Sequence, residues 1–307
     1  MSRPHTFVPP AGVSAYRLST TRGEFAVLDA EPQGRSRGTV LLLPGFTGSK
    51  EDFIALHVPL AAAGYRTVAV DGRGQFETDG PRDDETAYAQ AELAQDVLAQ
   101  AVAVGGPVHL VGHSLGGQIA RAAVLADASP FVSLTLMASG PAQISESQQQ
   151  RVKLLRDALA VMSMAEVWDA IQAMEPPEET ETGGLDAGLD DLADLRRRWL
   201  GNSPAQLVAT GRQLCDEPDR VAELAAVPLP KHVISGERDD TWPVPLLDTM
   251  AVRLDAHRTV VAGAEHSPNA DRPLETARAL AAFWDGVDNL DGTRPPTAPD
   301  GAGPARF

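Results

Sequence analysis

The chain begins with a short region in which apolar and polar residues alternate. Two such runs, SAYRLST at 14–20 and EFAVLDA at 24–30, flank the turn residues Thr21-Arg22-Gly23. Strict alternation is typical of strands with one buried face, and a turn between two of them indicates a hairpin. Residues 14–30 are therefore predicted to form an antiparallel hairpin.

Beyond residue 38 the alternation gives way to short, continuous apolar runs, which are typical of strands buried on both faces. Six of these runs occur, at 39–43, 66–70, 108–111, 132–137, 231–235 and 258–261. Segments of helical character lie between them, at 51–63, 85–104, 114–126, 243–254 and 271–286. This order predicts an α/β fold with a doubly wound, mostly parallel sheet of about eight strands, the antiparallel hairpin included.

One long interval, residues 141–227, contains no convincing strand. Its helical segments are 146–161, 164–174, 189–200 and 203–215. An insertion of this size between two core strands, on the side where ligands bind, predicts a helical cap over a site. We therefore expect a core of residues 1–140 and 228–287, a cap of residues 141–227, and a disordered tail rich in Pro and Gly at 288–307.

Composition places the chain among globular proteins. Its 307 residues are 43% hydrophobic, enough for a large core. The sequence has no run of about 18 apolar residues, and its first ten residues lack the apolar segment of a secretory signal. A single cysteine, Cys215, allows no internal disulfide. These features together favour a cytoplasmic protein.

The formal charge of -16 narrows the range of partners. Nucleic acids and anionic membranes need a basic surface, so neither is expected as a partner, and a neutral or cationic small molecule is favoured. Residues 175–194 carry eight acidic side chains and no Lys or Arg. This segment is interpreted first as a solvated loop and second as an electrostatic funnel. The oligomeric state is left open.

Candidate chemistry is found in VHLVGHSLGG at 108–117. Gly112-His113-Ser114-Leu115-Gly116 matches G-x-S-x-G between a predicted strand and a predicted helix. Glycines on both sides permit a strained turn on which a serine hydroxyl projects freely. Ser114 is therefore the candidate nucleophile.

These residues resemble the nucleophile elbow of the α/β-hydrolase fold family, and the similarity extends over residues 14–286. The resemblance implies the chain order Ser, acid, His. Gly-Ala-Glu-His-Ser-Pro at 263–268 resembles the family's histidine loop and selects His266 as the base. The other histidines are more simply structural, and His113 is expected to pack against or line the turn.

For the acid, the segment GERDDTWP at 236–243 resembles the family's G-x-x-D-x-x-x-P loop, whose register selects Asp239. Asp240 and Glu237 remain rivals, because a loop can shift by one residue. The segment after the run at 132–137 offers no carboxylate as an alternative acid.

The resemblance further implies an oxyanion hole formed by the backbone N–H groups of Phe46 and Leu115. Phe46, His113, Trp168 and Trp242 are candidates for the lining of the substrate pocket, although simple packing is the alternative for both tryptophans. No metal or organic cofactor is implied.

The expected activity is that of a serine hydrolase acting on a carboxylic ester. A serine at the elbow excludes the family branches that use a carboxylate nucleophile. Lactonase, thioesterase, carbon-carbon bond hydrolase and perhydrolase activities remain open on the same triad. A ligand-binding or signalling protein with slow turnover is the alternative from a different class.

Overall fold

A computed structural model describes residues 3–291 apart from residues 5, 33 and 175–186. Its eight strands are β1 Val13–Thr20, β2 Gly23–Ala30, β3 Gly38–Leu43, β4 Tyr65–Val70, β5 Val108–His113, β6 Phe131–Met137, β7 Lys231–Gly236 and β8 His257–Val261. They form one sheet in the order β1-β2-β4-β3-β5-β6-β7-β8. The first two pairs, β1 with β2 and β2 with β4, are antiparallel, and the remaining pairs are parallel. The predicted α/β fold, with its antiparallel N-terminal hairpin, is confirmed.

The helices outside the insertion are α1 Ile54–Ala62, α2 Gln90–Ala103, α3 Leu115–Ala126, α9 Val244–Leu254, α10 Pro268–Asp271 and α11 Pro273–Asp291. Short 3-10 helices at Lys50–Phe53 and Glu85–Tyr88 precede α1 and α2. Helix α11 continues to Asp291, past residue 288, where the tail was expected to begin. Residues 292–307 lie outside the described residues.

The sheet separates two apolar cores because successive side chains of a strand point to opposite faces. In β3, Leu41 and Leu43 pack with α2, α3 and α9 on one side. Val40 and Leu42 pack with α1 and α11 on the other. Burial on both faces explains why these strands are continuous apolar runs in the sequence.

The insertion between β6 and β7 is helical, with α4 Glu146–Leu159, α5 Met164–Met174, α6 Ala187–Gly201, α7 Pro204–Asp216 and α8 Val221–Ala225. Much of the acidic segment 175–194 lies outside the described residues, and its last part belongs to α6. Side chains of α5, α6 and α7 form a separate apolar cluster that includes Trp168 and Trp199, and Phe46 from the core packs against it. The insertion thus has a small core of its own, in contact with the loop after β3.

In the described part of the chain, no helix combines the length and the apolar character that a membrane crossing requires.

Candidate active site

Ser114 lies at the sharp turn between β5 and α3. Its φ of 54° and ψ of -120° place a residue with a side chain in a region that favours glycine. A Cβ on Gly116 would stand 2.5 Å from the carbonyl oxygens of Leu43 and Pro44, and one on Gly112 would collide with the Gly116 carbonyl. The two glycines of the motif are therefore required by close packing of the turn, and this packing holds the strained serine in place.

His266 lies in the loop between β8 and α10 and connects Ser114 to Asp239. Its Nε2 is 3.1 Å from Ser114 Oγ, and its Nδ1 is 3.0 Å from each carboxylate oxygen of Asp239. The Asp239 side chain has no exposed surface, and its Oδ1 also accepts the backbone N–H groups of Thr241 and Trp242. A carboxylate fixed in this way orients the ring with Nδ1–H toward Asp239, which leaves Nε2 to accept the serine proton.

The two rival acids have other partners. The carboxylate of Asp240 accepts a 2.6 Å hydrogen bond from Gln148 Nε2, and its side chain is 68% exposed. Glu237 accepts the backbone N–H of Gly263 at 3.0 Å. Of the three candidates, the structure brings Asp239 to His266.

His113 supports the loop that carries His266. Its Nε2 lies 2.8 Å from the His266 carbonyl oxygen, which can only accept, so this nitrogen is the donor. Complete burial, aided by the proximity of His266, lowers the pKa of His113 to about 4. His113 is therefore neutral at pH 7 and stabilises the position of the histidine loop.

The loop after β3, residues 44–48, crosses close above the serine. A Cβ on Gly45 would lie 3.2 Å from Ser114 Cβ, a separation that few side chains tolerate. Within the described residues, the backbone N–H groups of Phe46 and Leu115 have no hydrogen-bond acceptor. One of these donors directly follows Ser114 in the chain and the other belongs to the loop that packs against it, and an oxyanion requires donors of this kind.

A cavity of about 440 Å³ opens onto Ser114 and His266. Phe46 and His113 line it, whereas Trp168 and Trp242 are not among its lining residues. Trp168 is buried in the apolar cluster of the insertion. Trp242 is fully buried and donates its Nε1–H to the carbonyls of Ala142 and Gln143. For both tryptophans, burial favours packing, the alternative that the sequence left open, over a place in the pocket lining.

The cavity has an apolar wall and a polar mouth that the sequence did not identify. Ile144, Val152 and Leu214 form the apolar part with Phe46, and the polar mouth is formed by Gln148, Arg151, Asp240 and Glu265. Asp52, whose side chain is buried, also lines the cavity. Several of these residues belong to α4 and α7, far from the motifs in the chain. Their only sequence signal was their place in the predicted cap.

Residues 3–174 and 187–291, as far as the structure describes them, contain no group of His, Cys, Asp and Glu side chains suited to hold a metal ion.

Comparison with known proteins gives the same fold. The family model described as "Alpha/beta hydrolase family" matches residues 40–279. The chain therefore belongs to the alpha/beta hydrolase family.

Two relatives show the range of activities among similar proteins. The chain is 29% identical to the pimeloyl-[acyl-carrier protein] methyl ester esterase of Aeromonas hydrophila, with 74% of this chain and 87% of the relative covered. It is 30% identical to 2-hydroxy-6-oxononadienedioate/2-hydroxy-6-oxononatrienedioate hydrolase 1 of Dechloromonas aromatica, with 76% of each chain covered. Such relatives are hydrolases, and the chain is an enzyme of that class.

Solved structures agree with this assignment. A membrane phospholipase A, described as a bacterial virulence factor, superposes with a TM-score of 0.71 at 26% identity, covering 91% of this chain and 88% of that one. A thermophilic esterase from Thermogutta terrifontis superposes with a TM-score of 0.70 over 90% of this chain and 99% of its own. Its identity of 19% makes it similar in fold alone.

Proposed function

We propose that this protein hydrolyses a carboxylic ester through a covalent acyl-enzyme. The observation that carries the proposal is the hydrogen-bonded series Asp239, His266 and Ser114 at the base of an open cavity. In this proposal Ser114 is the nucleophile, His266 the general base and acid, and Asp239 the carboxylate that orients the imidazole.

In the first half-reaction, Ser114 Oγ attacks the ester carbonyl carbon while its proton passes to His266 Nε2. The carbonyl oxygen becomes an oxyanion, which accepts hydrogen bonds from the N–H groups of Phe46 and Leu115. The carbon–oxygen bond to the alcohol then breaks, and His266 returns the proton to the departing oxygen. Asp239 stabilises the imidazolium throughout.

In the second half-reaction, water replaces the alcohol. His266 Nε2 takes a proton from the water as its oxygen attacks the acyl carbon, and a second oxyanion forms at the same two amides. Collapse of this intermediate releases the carboxylic acid and returns the proton to Ser114 Oγ. The cycle consumes one ester and one water, and needs no oxidant or reductant.

The cavity favours a substrate with an apolar acyl group and a polar remainder. Phe46, Ile144, Val152 and Leu214 offer the acyl chain an apolar surface. At the mouth, Asp240 and Glu265 outnumber the basic Arg151, which fits a neutral or cationic leaving group better than an anionic one. We further propose that residues 141–227 act as the cap of this site, because α4 and α7 supply part of its wall.

The names of two similar proteins, a methyl ester esterase and a phospholipase A, support an ester as the substrate.

The test is a series of p-nitrophenyl esters from acetate to decanoate, assayed with the parent enzyme and with Ser114→Ala. We expect repeated turnover by the parent, with a preference among acyl lengths, and loss of at least about 10³-fold in kcat for the variant. A single stoichiometric release without turnover would instead support a binding protein. Equal turnover by Ser114→Ala would contradict the proposed nucleophile.

A further inference from the structure

The loop that carries Phe46 is followed at once by a turn of buried charged residues, 50–52. Within this turn, Asp52 also lines the cavity. Its Oδ2 accepts the backbone N–H of Ser49 at 3.3 Å, and a Cβ on Gly48 would collide with the same oxygen. The Asp52 carboxylate is therefore packed directly against the end of the loop at 44–48.

The other carboxylate oxygen of Asp52 is bound by the insertion. Arg198, in the last turn of α6, donates from Nη1 to Asp52 Oδ1 at 2.8 Å. Both side chains are shielded from solvent, with 1% of Arg198 and 0% of Asp52 exposed. Breaking this ion pair would leave an unpaired buried charge, which is unfavourable. The ion pair therefore fixes α6 against the turn at 50–52.

Asp52 also contacts the segment after the proposed base. Its carbonyl oxygen accepts a 2.7 Å hydrogen bond from Asn269 Nδ2, three residues after His266. Asp52 therefore contacts three parts of the molecule: the insertion, the loop at 44–48 and the segment that carries His266.

We propose that Arg198 is a positioning residue of this hydrolase: acting through Asp52, it holds residues 44–48 so that the Phe46 N–H points to the developing oxyanion. The docked cap thereby completes the oxyanion hole in addition to forming the pocket wall. The inference rests on the proposed ester hydrolysis and extends it to a residue that touches no substrate.

The kinetic test uses Arg198→Gln with p-nitrophenyl acetate, whose small acyl group makes few contacts with the cap. We expect kcat to fall about 10- to 100-fold while KM stays within about twofold, because a misplaced donor weakens the transition state more than the bound substrate. Affinity for a trifluoromethyl ketone, which adds Ser114 Oγ and becomes an oxyanion, is expected to fall by a similar factor. Arg198→Lys should recover part of both losses.

Arg197→Gln is the matched control. Arg197 is the preceding residue of α6, its side chain is 55% exposed, and it contacts Glu77, Asp194 and the ring of Phe76. We expect parent values of kcat and of ketone affinity for this variant. A change in Arg198→Gln no larger than that in Arg197→Gln would overturn the proposal.

The double variant Asp52→Asn with Arg198→Gln avoids an unpaired buried charge and serves where a single variant does not fold. If Arg198 acts through Asp52, the double variant loses no more kcat than the more affected single variant. A loss equal to the product of the two single losses would show independent roles and would contradict the proposal.

A second readout does not depend on ester turnover. Hydrogen exchange of the peptide covering residues 44–53 should be faster in Arg198→Gln, or in the double variant, than in Arg197→Gln. If exchange is faster but the parent enzyme is inactive toward esters, the proposed ester hydrolysis is refuted and the role of Arg198 stands. If exchange is unchanged, the role of Arg198 in positioning the loop is refuted.

Discussion

At the scale of single residues, Asp239 and Asp240 are neighbours in the chain with opposite environments. The Asp239 side chain is buried and both of its oxygens face His266 Nδ1. Asp240 is exposed at the cavity mouth and is bound to Gln148. Chemical identity is the same, so the difference in role arises from position alone.

This contrast predicts very unequal effects of two similar substitutions. Asp239→Asn should lower kcat by about 10⁴-fold, because an amide favours the wrong imidazole tautomer and does not stabilise the imidazolium. Asp240→Asn should change kcat by no more than a few fold. Steady-state kinetics on one p-nitrophenyl ester measure both, and an equal loss in the two variants would show that the acid has been misassigned.

At the scale of elements, some parts of the site are specified by residues nearby in the chain, and others by contacts between distant segments. The β5–α3 turn is specified by its own residues, since Gly112 and Gly116 are required by contacts within and beside the turn. The pocket wall is not local: α4 and α7 of the insertion pack together at the cavity, where a Cβ on Gly211 would lie 3.0 Å from Val152 Cγ1 and 3.2 Å from the Phe46 ring.

The wall predicts a change in acyl preference. Leu214→Ala removes side-chain volume from the apolar surface, so the optimum of kcat/KM should move toward acyl chains longer by about one or two carbons, each methylene contributing up to about 0.8 kcal/mol. Leu154→Ala is the control, because Leu154 lies on α4 with 58% of its surface exposed. An unchanged optimum in Leu214→Ala would count against this wall as the acyl pocket.

The distinction between local and distant contacts also determines which features could be predicted from the sequence. The strands were predictable because burial on both faces leaves continuous apolar runs, and the elbow because its glycines are adjacent to Ser114. The burial of Trp242 against the carbonyls of residues 142 and 143, and the pairing of Asp52 with Arg198 across 146 residues, depend on tertiary packing. No local pattern carries that information.

At the scale of the whole molecule, the fold buries several histidines away from the reaction centre. Desolvation by burial lowers the pKa of His57 and His109 from 6.5 to about 4, and that of His232 to about 3. The same effect acts on His113. Each must be neutral in the folded protein but can take up a proton when the chain unfolds.

Acid sensitivity of the folded state follows. Because the folded-state pKa values of these histidines lie below 6.5, the unfolded chain binds more protons than the folded one. Their contribution to the free energy of unfolding is therefore fully present above pH 6.5 and is lost as the pH decreases toward 4. A shift from 6.5 to about 4 corresponds to roughly 3 kcal/mol for each histidine as an upper value. Urea unfolding at pH 7 and pH 5 measures this loss.

His109→Gln tests the cause, because glutamine does not titrate in this range and can still bond to Ser133 Oγ, the partner of His109 Nδ1 at 2.8 Å. The variant should lose less stability than the parent between pH 7 and pH 5. An identical loss in both proteins would assign the acid sensitivity to other groups.

The acyl-enzyme itself is the most direct test of the proposed chemistry. The enzyme is mixed with p-nitrophenyl butyrate, quenched in acid during turnover, digested and analysed by mass spectrometry. We predict a butyryl group on the peptide that contains Ser114, formed and lost fast enough to account for turnover, and its absence in Ser114→Ala. Steady ester hydrolysis with the acyl group on another residue, or with Ser114→Ala still active, would contradict the account.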